Sequence, residues 1–276
     1  MSVPESFTED SLEQAAIEIL EELGYEYQSG PDIACDGDYP ERKDYKEVIL
    51  ESRVRDALIR INPGIPREAL DDAFRQLITF NNPSLAENNH YFHRMLTEGI
   101  DVSYKEDHII RTKRVYIVDS EHVENNDFLA VNQFTIIGLK NRRPDLILFI
   151  NGLPLVVIEL KSASDDNVGI EHAYNQIQTY KRDIPSLFHY NAFCTLSDGI
   201  NAKAGTITSN FERFMNWRSD DGQNVAPLSM PQYETLFHGM LEQSRLIDIV
   251  THFILFQTTR SESYDAKGKK FGAKNR

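Results

Sequence analysis

Two apolar runs joined by a short turn constrain this chain more than any other feature. Leu146-Ile-Leu-Phe-Ile150 and Leu155-Val-Val-Ile158 flank the turn Asn151-Gly152-Leu153-Pro154. Short apolar runs bounded by turn residues read as a hairpin of largely buried strands. A strand apolar at consecutive positions is covered on both faces. The expectation is therefore an α/β fold: a mixed central sheet flanked by helices. With 276 residues the chain can bury such a core, as one elaborated domain or two small ones.

Charge appears where this hairpin ends. Asp145 opens the first strand, and Glu159 and Lys161 close the second. Their two-residue spacing puts both side chains on one face of the strand. Two acids and a lysine thus converge at one point of a sheet. A surface ion pair is the bland alternative for Glu159 and Lys161. Charges ending a strand as apolar as this one are costly unless paired or bound to a metal, which favours a functional reading.

The chemistry that suits this set is phosphodiester hydrolysis. That reaction needs an activated water, stabilisation of added negative charge and help for the leaving oxygen. Mg²⁺ supplies much of this, and it prefers carboxylate oxygens while keeping waters of its own. Asp145 and Glu159 are the expected metal ligands, with the Leu160 carbonyl as a third oxygen. Lys161 is expected to orient or deprotonate the attacking water, or to stabilise the developing charge.

Composition narrows the context. Hydrophobic and charged fractions of 41% and 26% are ordinary for a globular protein. No apolar run reaches the length of a membrane span, and the N-terminus lacks the basic and apolar regions of a signal peptide. Cys35 and Cys194 have no metal-ligand spacing, so a reduced, cytoplasmic protein is the simplest reading. His90 and His93 read as structural or exposed, and no His-Glu-x-x-His zinc signature occurs. The net charge of −14 argues against a simple nucleic-acid binder. Charge is local, however, and Lys140, Arg142, Arg143, Lys161, Lys181 and Arg182 cluster around the hairpin.

Around this centre the sequence predicts a helix over 9–23, with Leu12, Ala16, Ile19 and Leu23 facing the core. Glu13 lies beside that stripe as the acid most able to reach a buried site, with a solvated helix acid as the alternative reading. Residues 25–42 read as loop. Helices near 43–61, 66–80 and 85–98 form an expected helical insertion, broken at Asn62-Pro63-Gly64 and Asn82-Pro83. Strands are expected at 115–118, 126–137 and 191–197, with an edge segment at 206–209. Residues 162–167 read as a loop capping a helix over about 168–182. Two further helices, 231–239 and 241–256, form a helical C-terminal extension. From Arg260 the chain turns polar and basic, like a linker cut from a longer protein. The expected division is 1–217, then 218–259, then 260–276.

Asp145, Glu159-Leu-Lys161, the helical pair Gln176-x-x-x-Tyr180 and the strand ending in Ser197-Asp198-Gly199 together resemble the PD-(D/E)xK nucleases. The fuller wording from Arg143-Pro-Asp145 to Lys161 resembles one branch, the N-terminal nuclease domain of the motor (R) subunit of type I restriction enzymes. That resemblance implies a restriction-endonuclease-like fold. It makes Asp145 and Glu159 the metal ligands, Lys161 the catalytic lysine, and Gln176 and Tyr180 supports of cleavage and DNA contact. Glu13 stands where many such nucleases carry a first-helix acid. It also implies double-stranded DNA as substrate, Mg²⁺ as cofactor, and methyltransferase and specificity subunits as partners. ATP would enter only through a translocase beyond Arg276, since no phosphate-loop motif occurs here. The rival readings are a repair nuclease of the same fold, or a catalytically silent DNA-holding or motor-docking domain.

Overall fold

In the computed structural model, residues 8–161 and 169–257 are described, together with the backbone of two short strands near the C-terminus. The elements in chain order are α1 (Glu9–Glu22), β1 (Glu26–Ser29), α2 (Glu51–Ile61), α3 (Arg67–Leu77), α4 (Leu85–Glu98), β2 (Ile100–Glu106) and β3 (Ile109–Val115). Next come β4 (Phe128–Asn132), β5 (Ile136–Ile137), β6 (Asn141–Arg142), β7 (Leu146–Ile150) and β8 (Leu153–Leu160). The remainder is α5 (Ile170–Asp183), α6 (Pro185–Phe188), β9 (Phe193–Ser197), β10 (Ala202–Gly205), α7 (Gln232–Met240), α8 (Gln243–Asp248), β11 (Arg260–Tyr264) and β12 (Lys270–Asn275).

Six strands form the central sheet, in the order β1-β4-β7-β8-β9-β10. It is mixed: β1 runs parallel to β4 and β8 to β9, while the β4–β7, β7–β8 and β9–β10 pairs are antiparallel. Every residue of β7 and β8 is buried, as the unbroken apolar runs require. Helix α1 packs on β1 and β8, and α5 packs on β8 and β9. The expected α/β architecture is thus present, with its centre at the expected hairpin.

The hairpin turn is tighter than the sequence suggests. Asn151 and Gly152 both adopt positive φ, 53° and 77°, and β8 resumes at once at Leu153. Two such residues make the turn whose twist matches that of antiparallel strands. Asn151 tolerates the conformation because its side chain is fully engaged. Its Nδ2 donates to the carbonyl of Ile117 and to Asn126 Oδ1, and its Oδ1 accepts from the Asp127 amide.

Several boundaries differ from expectation. Residues 25–42 contain β1, whose four residues gain their strand character from pairing with β4 rather than from a pattern of their own. Residues 43–50 are irregular and α2 begins only at Glu51. The expected strand 126–137 breaks at Gln133, which takes φ 52° and separates β4 from β5. Val115 ends a strand rather than starting one, because β2 and β3 form a separate two-stranded ribbon. Edge strand β10 lies at 202–205, just before the expected 206–209. The helix expected over 241–256 is a short α8 followed by a π-helical turn at Ile249–Phe253. Residues 260–264 and 270–275 pair as a two-stranded ribbon rather than running on without structure. The expected capping loop at 162–167 lies outside the described residues.

The helical insertion and the β2–β3 ribbon fall between β1 and β4, two neighbours in the sheet. Their seam with the central sheet is polar. Asn89 donates to the carbonyls of Phe188, His189 and Asn191. His93 is buried in that seam, with its Nε2 at 3.4 Å from the Asn191 carbonyl. His90 stacks on Phe256. Both histidines therefore have packing roles.

Candidate active site

Where β7 starts and β8 ends, Asp145 and Glu159 come together in the interior of the sheet. Both are buried, and the Glu159 side chain is only 1% exposed. Asp145 Oδ2 accepts the backbone N–H of Leu160 at 2.7 Å. Lys161, on the same strand face as Glu159, places its ammonium 2.9 Å from Glu159 Oε1 and 3.8 Å from Asp145 Oδ2. The same ammonium donates to the Leu160 carbonyl at 2.8 Å and to Glu9 Oε1 at 3.0 Å.

Burial dominates the electrostatics. It pushes the Asp145 carboxyl up to about 6, with Lys161 opposing the shift. It pushes Glu159 further, up to about 8, and the charge of Asp145 adds to the rise. Burial alone would lower the Lys161 pKa, but the charges of Glu159 and Asp145 outweigh it and hold the amine protonated well above its usual value. These are the signatures of acids held close together out of water beside a single cation.

Glu159 Oε2 is buried and has no hydrogen-bond partner among the described residues. A buried carboxylate oxygen left without a donor is costly, and a cation satisfies it. The donor set is all oxygen: the carboxylates of Asp145 and Glu159 and the carbonyl of Leu160. A hard divalent cation fits such a set. No group of three or more His, Cys, Asp or Glu side chains surrounds one point among the described residues. Mg²⁺ tolerates this, because it retains several waters and often binds through one or two carboxylates.

The helical pair reaches the same place. Tyr180 on α5 is buried, and its hydroxyl donates to the Arg143 carbonyl at 3.3 Å. Burial raises its pKa, and the neighbouring Glu159 charge raises it further. Gln176, one turn earlier on the same helix, opposes that rise from beside Tyr180. Glu13 lies one step away. Its carboxylate accepts from Asn132 Nδ2 at 2.8 Å and from Gln133 Nε2, while the Gln133 amide donates to the Asp145 carbonyl at 3.0 Å. The α1 acid that touches Lys161 is Glu9, one turn before Glu13. The i, i+4 spacing of the two acids was the available signal, since both share a helix face. Asp198, in the Ser-Asp-Gly segment, accepts from the Ile200 and Asn201 amides and closes the β9–β10 turn.

Comparison with known proteins places the chain in a family. The family described as "Type I restriction enzyme R protein N terminus" matches residues 6–213. The chain belongs to that family. It is 34% identical over 253 residues to the type I restriction enzyme HindI endonuclease subunit of Haemophilus influenzae, covering 90% of this chain and 24% of the relative. It is 26% identical over 160 residues to the type I restriction enzyme EcoprrI endonuclease subunit of Escherichia coli, covering 55% of this chain and 49% of that relative. The chain thus spans about a quarter of the length of the first relative and about half of the second. Among the described residues, no helix is long and apolar enough to cross a membrane.

Proposed function

We propose that this chain is the Mg²⁺-dependent endonuclease domain of a type I restriction R subunit, hydrolysing phosphodiester bonds of double-stranded DNA. One observation carries the reading. Asp145 and Glu159 are both buried and share the Lys161 ammonium, the one cation that pairs with them among the described residues, and Glu159 Oε2 lacks a donor there. Family membership and relatives named as endonuclease subunits support it.

In this reading Asp145, Glu159 and the Leu160 carbonyl hold the metal. Bound there, Mg²⁺ supplies Lewis-acid stabilisation and a source of nucleophilic water. The Leu160 amide fixes the Asp145 carboxylate, so that its orientation does not depend on the ligand. Lys161, held protonated, acts as a positive charge and hydrogen-bond donor toward the phosphate rather than as a base. Tyr180, buried beside Glu159, packs on the α5 side of that carboxylate, with Gln176 one turn away.

Sequence-independent cleavage, coupling to ATP-driven translocation, and assembly with methyltransferase and specificity subunits belong to the same proposal. They concern a protein longer than this chain. Calorimetric titration with Mg²⁺ and Mn²⁺ tests the core of it, on wild type and on Asp145→Ala and Glu159→Ala whose folding is verified by thermal unfolding. Binding by wild type that both folded variants lose is the expected result. Equal binding in all three proteins, or none in wild type, would instead favour a silent DNA-holding or docking domain.

A further inference from the structure

Six basic residues cluster in sequence around the candidate acids, and four of them are held by polar contacts within the fold. Lys161 is held by Glu159 and Glu9. Arg142 and Arg182 both pair with the buried carboxylate of Asp183. Lys181 donates to the Ile207 carbonyl at 2.7 Å, and burial lowers its pKa. Only Lys140 and Arg143 remain exposed and unpaired with any acid among the described residues.

Lys140 lies at the tip of the β5–β6 hairpin, Gly138–Lys140, and Arg143 directly follows its second strand. The tip is fixed in place. The Leu139 amide donates to the Asp183 carbonyl at 2.7 Å and the Ile137 amide to the Tyr45 carbonyl at 3.0 Å. A Cβ on residue 138 would lie 2.4 Å from the Asp183 carbonyl oxygen, so only glycine allows this approach. The hairpin leads directly into the site: the Arg143 carbonyl accepts the Tyr180 hydroxyl, and Asp145 follows two residues later.

This fixed tip presents Leu139, 78% exposed, with Ile137 behind it at 39%. A lone exposed leucine is ordinary. Here Lys140 follows it directly and Arg143 stands four residues on, in a stretch from Asn132 to Pro144 that contains no acid, in a chain of net charge −14. That local charge selects a polyanion. An exposed apolar side chain on a fixed tip, with cations following it, suits entry into a DNA groove at a base step while the cations hold backbone phosphates.

We propose that the β5–β6 hairpin is the duplex-DNA contact of this domain. Lys140 and Arg143 grip phosphates beside the scissile bond, and Leu139 enters the adjoining groove. The proposal rests on the nuclease reading above and adds where the duplex lies.

Fluorescence anisotropy with a short labelled duplex, in EDTA to prevent cleavage, tests it on the whole chain. The proteins are wild type, Lys140→Ala/Arg143→Ala, Leu139→Ser, and the control Lys105→Ala/Lys113→Ala on the separate β2–β3 ribbon. Thermal unfolding verifies each fold. Loss of two phosphate contacts lowers the slope of log affinity against log salt by about 1.8, at about 0.9 per contact. The hairpin double variant is expected to show that fall and roughly tenfold weaker binding at low salt. Leu139→Ser is expected to weaken binding several-fold with its slope unchanged, and the control to match wild type. An unchanged slope in the hairpin variant, an equal fall in the control, or no salt-dependent binding by wild type would overturn the proposal. Unchanged DNA binding throughout would assign Leu139 to a protein contact instead. Mg²⁺ titration of the same proteins separates the two readings. Intact metal binding with an unchanged slope discards the hairpin alone, whereas no metal binding by wild type discards the nuclease reading itself.

Discussion

The backbone N–H of Leu160 donates to Asp145 Oδ2 at 2.7 Å, across the β7–β8 hairpin. One candidate ligand is thereby oriented by the strand that carries the other. Asp145→Asn can keep this bond through its side-chain carbonyl, whereas Asp145→Ala cannot. Both variants should lose Mg²⁺ affinity, but only Asp145→Ala should also leave the buried amide unpaired, at about 1–3 kcal/mol. Urea unfolding of the two metal-free variants beside wild type checks the difference.

Lys161 sets up a competition. Its ammonium occupies the space between the two carboxylates and bonds the Leu160 carbonyl as well. Lys161→Met should therefore bind Mg²⁺ at least as tightly as wild type, while any cleavage falls by roughly 10²-fold or more. Calorimetry paired with a nicking assay reads both. A large loss of metal affinity would show that the lysine organises the acids rather than competing for them.

The buried acids also fix a pH dependence. Asp145 is raised from 3.8 to about 6 and Glu159 from 4.5 to about 8 by burial, so the folded state binds more protons than the unfolded chain. Their contribution to stability is complete below about pH 4 and is lost as pH rises through about 6 and then 8. Metal-free protein should melt several degrees lower at pH 8.5 than at pH 5.5, a scale set by roughly 1–2 kcal/mol. Saturating Mg²⁺ should raise the melting temperature more at the higher pH, because the ligands must be ionised to bind it. Thermal scans at both pH values, with Mg²⁺ and with EDTA, test the sign.

Glu13 and Glu9 should separate by their effects. Glu13 holds Asn132 and Gln133 behind Asp145, so Glu13→Ala should weaken Mg²⁺ binding by roughly tenfold through misplacement of that carboxylate. Glu9 is about half exposed and touches only the lysine, so Glu9→Ala should alter metal affinity little. Calorimetry on the two single variants distinguishes them, and recovery in Glu13→Gln would mark the role as positioning.

The turn that sets the strand register is equally exposed to test. Gly152 has φ 77°, and a Cβ there would approach the Leu50 carbonyl oxygen to 2.6 Å. Gly152→Ala should cost at least about 1–2 kcal/mol from backbone strain alone. Denaturant unfolding measures it.

Much of the centre was legible in the residues themselves. Consecutive apolar positions identify β7 and β8, the Asn151–Pro154 segment marks their turn within two residues, and a period of two puts Glu159 and Lys161 on one face. The pairing of Gln176 and Tyr180 came from the resemblance to the nucleases, since an i, i+4 spacing alone also reads as ordinary helix packing. These signals are local, because side-chain direction in a strand or helix follows from backbone geometry over a few residues. Residue order alone thus specified the sheet's core, the meeting of two acids and a lysine at its end, and the family. Folding in three dimensions set what depends on distant neighbours. Strand β1 exists through its pairing with β4, Gln133 breaks a strand behind Asp145, and Glu9 rather than Glu13 meets the lysine. It also selected Lys140 and Arg143 from six clustered cations, since Asp183, Ile207 and the buried acids engage the other four. Charge in a sequence is additive, but charge at a surface is what remains after the fold has paired the rest.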